Sequence, residues 1–61
     1  MSTFILTIYL LSGETLSLPF LGTVSQAAAQ AKKDLAAMPC FAVDVIDPGT
    51  ERLVYFIGEE P

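Results

Sequence analysis

The sequence predicts an α+β domain of order ββαββ: a four-stranded, mainly antiparallel sheet with one helix packed on one face. Three observations predict it. Four segments alternate apolar and polar residues with the period of two expected of half-buried strands. The central segment AAAQAKKDLAAM consists of strong helix formers with no internal Gly or Pro. Turn chemistry sits between the paired strand segments, at Ser12-Gly13 and at Asp47-Pro48-Gly49-Thr50.

The first strand is TFILTIYLL, residues 3–11. Its inward set is Phe4, Leu6, Ile8 and Leu10, and its other set still carries Ile5, Tyr9 and Leu11. The next strand, ETLSLPF, alternates Leu16, Leu18 and Phe20 with Thr15, Ser17 and Pro19. A three-residue loop, Leu11-Ser12-Gly13, sets Leu16 opposite Ile8, Leu18 opposite Leu6 and Phe20 opposite Phe4. It joins the two most apolar faces and gives Gly13 the left-handed position. Pro19 has no N–H to donate, which marks an edge strand.

Thr23 followed three residues later by Gln26 is a capping-box signature. Pro39 ends the helix. Val24, Ala28, Ala31, Leu35 and Met38 recur at three- and four-residue spacing and predict the buried stripe, with Gln26, Gln30, Lys32, Lys33 and Asp34 away from it. The second hairpin pairs FAVDVID with ERLVYFIG. Setting Val43 opposite Leu53 aligns Phe41 with Tyr55 and Asp44 with Arg52. The inner set is then Phe41, Val43, Val45, Leu53, Tyr55 and Ile57, and the outer set Ala42, Asp44, Ile46, Arg52, Val54 and Phe56. The first and fourth strands are the most apolar and are expected at the centre, with the Pro19 and Asp44 strands as edges. Residues 1–61 form one domain, with 58–61 as a frayed acidic tail.

Composition narrows the function. The 61 residues are 52% hydrophobic and 16% charged, rich for so small a body. Small domains need a staple or a partner. Cys40 is the sole cysteine and there is no histidine, so neither an intrachain disulfide nor a Cys/His zinc site is available. Three basic against seven acidic residues give a net charge of −4, and Lys32, Lys33 and Arg52 form no basic tract. Nucleic-acid binding and anionic membrane surfaces are therefore excluded as expectations. No segment reaches the length of a membrane span. MSTFILTIYLL lacks the basic flank of a signal peptide and reads as a strand of a cytoplasmic protein.

No catalytic constellation emerges. Without histidine the Ser-His-Asp and Cys-His arrangements are absent. Cys40, at the helix C-terminus, reads as a small core residue. Asp44 reads as the cross-strand partner of Arg52, and Asp47 as a turn former. No cofactor or metal is expected.

What remains is an uncovered surface. One helix covers one sheet face, and the other carries Ile5, Thr7, Tyr9, Ile46, Val54 and Phe56. Such a mixed but apolar-leaning face predicts a partner site, first of all for a second copy of the chain. The expected function is a non-enzymatic interaction or accessory module acting as a homodimer. The alternatives are an acidic inhibitor or antitoxin-like partner of a basic protein, and small-ligand binding at a dimer cleft.

Overall fold

Two hairpins flank a single helix in the computed structural model, which describes residues 2–59. The elements are β1 (Ser2–Leu10), β2 (Thr15–Gly22), α1 (Val24–Ala37), β3 (Cys40–Asp47) and β4 (Arg52–Gly58). They build the expected ββαββ architecture, with all neighbouring strands antiparallel and the sheet order β2-β1-β3-β4. Because β2 and β3 both run antiparallel to β1, the helix connects two mutually parallel strands that lie either side of β1.

The first hairpin has the expected register: Ile8 faces Leu16, Leu6 faces Leu18 and Phe4 faces Phe20. Gly13 closes the loop at φ +96°, its N–H bonded to the Leu10 carbonyl at 3.0 Å. The edge position of β2 also agrees with Pro19.

The other edge differs from expectation. β3, not β4, is central, and β4 is the second edge. Asp44 had marked β3 as an edge, but its carboxylate finds a donor on β1, in the Tyr9 hydroxyl. With that charge satisfied, Val43 and Val45 on one side and Ala42 and Ile46 on the other suit a strand flanked on both edges. The second hairpin register also shifts. Val43 faces Ile57, Val45 faces Tyr55, and Asp44 faces Phe56, not Arg52, which lies opposite Asp47. A bulge at Val45/Ile46 absorbs one residue and sets Leu53 opposite Ile46, on the outer face rather than in the inner set. A second irregularity, between Tyr9 and Leu10, pairs Tyr9 with Ala42 and Leu10 with Cys40 and leaves Phe41 as the extra residue. The Phe41 ring then stands 6.1 Å from that of Tyr9 rather than in the core. The first hairpin ladder is unbroken, whereas the expected pairing of the second assumed a continuity that the bulge at Val45/Ile46 interrupts.

The core is Phe4, Leu6, Ile8, Val43 and Val45 from the sheet against Ala27 and Ala31 from the helix. Full burial of each large side chain contributes about 1.5–3 kcal/mol. The capping box is complete: Gln26 N–H donates to Thr23 Oγ1 at 3.2 Å, and Thr23 N–H to Gln26 Oε1 at 2.9 Å. The buried stripe is rotated from the expected one. Ala27 takes the place of Val24, which is 45% exposed, and Asp34 is buried rather than solvated, accepting from Gln30 Nε2 at 2.9 Å. Ala27 is small enough to let the helix lie close, which a valine at the first turn is not. The helix packs mainly on β3 and β4, leaving Leu16 and Leu18 on β2 each 39% exposed.

The expected tail begins inside the sheet. Gly58 ends β4 and the Glu59 N–H donates to the Phe41 carbonyl at 2.9 Å. Glu60 and Pro61, the rest of the expected tail, lie outside the described residues.

Candidate functional site

The face opposite the helix can be written out from the strand registers, because residues paired across an antiparallel ladder share a face. Three rows cross the four strands in the order β2, β1, β3, β4. One is Pro19, Ile5, Ile46 and Leu53; the next is Ser17, Thr7, Asp44 and Phe56; the third is Thr15, Tyr9, Ala42 and Gly58. The first row is wholly apolar. No described element lies over these rows.

Five of the six residues singled out from the sequence, Ile5, Thr7, Tyr9, Ile46 and Phe56, come together on this face. Val54 is the extra residue of the β4 bulge, without a direct partner on β3. Leu53, 56% exposed, and Phe41, beside Tyr9, join the face only through the bulges. No local sequence signal announces either bulge. Pro19 was legible as an edge residue, but its place at the end of an apolar row follows only from the register.

Ala42 is wholly buried although it belongs to this outer face. It has Tyr9 on one side and Gly58 on the other, and an added methyl at Gly58 would stand 3.1 Å from its Cβ.

Near the middle of the face, the Tyr9 hydroxyl donates to Asp44 Oδ2 at 2.7 Å. That bond to the carboxylate, then partial burial, then the charge of Asp44 itself, raise the Tyr9 hydroxyl above the ordinary phenol value. Asp44 also faces Thr7 on β1 and Phe56 on β4. The chain's cations lie elsewhere. Lys32 and Lys33 are on α1, and Arg52 is opposite Asp47 at the far end of the second hairpin. The expected Asp44–Arg52 pair is therefore replaced by Asp44–Tyr9.

The remaining polar groups are structural. Asp47 Oδ1 accepts from the Gly49 N–H at 2.9 Å and shapes the turn, as its neighbours Pro48 and Gly49 predict. Cys40 Sγ is 3.7 Å from the Asp34 carbonyl oxygen and 4.0 Å from that of Leu35, a half-buried thiol packed against the core at the end of the helix. Among the described residues there is no cavity and no group of three His, Cys, Asp or Glu side chains able to share a metal ion. None of the helices among them is long and apolar enough to cross a membrane.

No protein-family model matches this chain, and neither the curated proteins nor the solved structures searched contain a significant match. The functional reading therefore rests on the face itself.

Proposed function

We propose that this protein is a cytoplasmic, non-enzymatic interaction module that acts as a homodimer through the open face of its sheet. The observation that carries the reading is the row Pro19, Ile5, Ile46 and Leu53, with Phe56 in the next row and Tyr9 in the one beyond, and no described element packed on it. An antiparallel sheet with one face in water ordinarily shows polar residues there.

The edges of the sheet support the face as the route of association. The hydrogen-bonded pair Leu10–Glu14 fixes the parity of the first hairpin ladder. Odd-numbered residues of β2 then turn their backbone groups outward, and among them Pro19 has no N–H to offer. At the other edge, the bulge at Val54 and the positive φ of Gly58 interrupt β4. Proline and bulges are standard protections against edge pairing, and no such protection operates on the face.

The size of the surface also supports it. Four strands at about 4.8 Å spacing and roughly seven residues at about 3.3 Å give a face of about 440 Å². Two copies in full overlap cover about 900 Å² in projection, and more over a corrugated surface, close to the roughly 1,000 Å² that separates specific interfaces from incidental ones. A free thiol and no disulfide suit a reducing compartment.

Light scattering across a dilution series tests the proposal. The expected result is a mass near twice 6.6 kDa that falls to the monomer value in Tyr9→Lys and Phe56→Lys. A wild-type monomer at every concentration would overturn it.

Asp44 favours a second reading, in which the same face receives a basic protein. That partner would bind less tightly in high salt and to Asp44→Asn; capture indifferent to both would remove this reading.

A further inference from the structure

Granting self-association through this face, we infer where its two-fold axis runs: parallel to the strands, between β1 and β3, so that β1 of one copy lies on β3 of its partner. A face of this size becomes a stable interface only if the overlap is nearly complete, and the position of Asp44 restricts how the copies can overlap. An axis running across the strands at the level of Asp44 would set the two carboxylates against each other. One midway between the Asp44 and Ile46 rows would press each carboxylate on an isoleucine. One at the Ile46 row would leave the Tyr9 row uncovered and lose part of the area. These follow from the pairing Ile5–Ile46, Thr7–Asp44 and Tyr9–Ala42 and from the exchange of positions that a two-fold imposes.

The strand-parallel axis keeps every row over the same row of the partner. Sheets packed this way remain aligned and about 10 Å apart. Ile5 then meets the partner's Ile46, and Pro19 meets the partner's Leu53. Tyr9 stands at the level of the partner's Ala42 and Tyr9 row. Thr7, opposite Asp44 within its own chain, meets the partner's Asp44 as well. Asp44 Oδ2 already accepts from Tyr9, and Oδ1 can take the Thr7 hydroxyl of the second copy. Because the arrangement is isologous, this bond forms twice. The interface carboxylates are thereby supplied with hydroxyl donors, although the described residues place no cation on this face.

The test is a double-mutant cycle on dimer dissociation, read by light scattering or sedimentation at neutral pH. Thr7→Val removes the hydroxyl at nearly constant shape and suits a strand. It is expected to raise Kd by about 100- to 10,000-fold, because each variant dimer loses two hydrogen bonds to a charged group. In an Asp44→Leu background the same change is expected to alter Kd by less than about threefold, because two apolar groups then meet. Circular dichroism of each variant verifies the fold. A wild-type dimer whose Kd is indifferent to Thr7→Val overturns the axis while leaving dimerisation standing. Tightening by Asp44→Leu alone, with no effect of Thr7→Val, does the same and marks Asp44 as an unpaired charge. A wild-type monomer overturns the axis together with the reading on which it rests.

Discussion

Replacing Gly58 by alanine is expected to cost about 2–4 kcal/mol. The residue has φ +116°, a region where an L side chain costs roughly 1–3 kcal/mol. Its Cβ would also stand 2.6 Å from Ala42 Cα and closer still to the Phe41 carbonyl oxygen. Both are backbone atoms of the central strand β3, so β4 must move. Movement endangers the bond from Glu59 N–H to that same carbonyl, at 2.9 Å, which contributes about 1 kcal/mol. Gly13 supplies an internal control. It too has positive φ, at +96°, but nothing lies within 4 Å of where its Cβ would be. Gly13→Ala therefore reports the conformational cost alone, and Gly58→Ala that cost plus the approach to β3. Urea denaturation followed by circular dichroism at one fixed protein concentration measures both, the fixed concentration being needed because association adds to apparent stability. Equal losses in the two variants, or a loss below about 1 kcal/mol in Gly58→Ala, would refute the packing argument.

Other expectations follow from the same geometry. Thr23→Ala removes the acceptor of the capping box and should lower stability by about 1 kcal/mol in the same denaturation assay. Glu51, at φ +57° in the second turn, occupies a region that costs a non-glycine residue about 1–2 kcal/mol; Glu51→Gly should stabilise by about 0.5 kcal/mol after the flexibility of glycine is subtracted. Tyr9 should ionise above the ordinary phenol range in an ultraviolet titration, and Asp44→Asn should lower its ionisation toward that range. The sign for stability follows: with the folded value raised above the unfolded one, the Tyr9–Asp44 contribution is fully present below about pH 10 and is lost as pH rises through the folded value.

Much of this fold was legible because its signals are local. The alternation of Phe4, Leu6 and Ile8 with Leu16, Leu18 and Phe20 left one good register for the first hairpin. Thr23 and Gln26 gave the start of the helix, and Asp47-Pro48-Gly49 gave the second turn. What was hidden is tertiary. Asp44 carries a charge that by itself argues for an edge, and only its distant partner Tyr9 shows why it sits in a central strand. The bulges beside Tyr9 and Val54 each add a single residue, and nothing in the neighbouring sequence reports them. Yet each moves a large side chain, Phe41 or Leu53, to the face where the candidate site lies. The rotation of the helix was hidden for a similar reason: an alanine-rich stretch such as Ala27, Ala28, Ala29 and Ala31 carries too little contrast to fix which face is buried. Of the six residues expected on the open face, five lie there because alternation alone assigns them to the outer side.

The offset of the helix toward β3 and β4 has a kinetic consequence. A sheet of four strands is roughly 19 Å wide, whereas a helix with its side chains is about 10–12 Å across. The strand it covers least is β2, bonded along one edge only and interrupted by Pro19. Its opening strips Leu16 and Leu18 from a surface that is already partly wet and breaks a single ladder. Opening β1 instead breaks two ladders and exposes Phe4, Leu6 and Ile8. Amide protons of β2 donated to β1 should therefore exchange with solvent by a local excursion, while those between β1 and β3 wait for the whole domain to unfold.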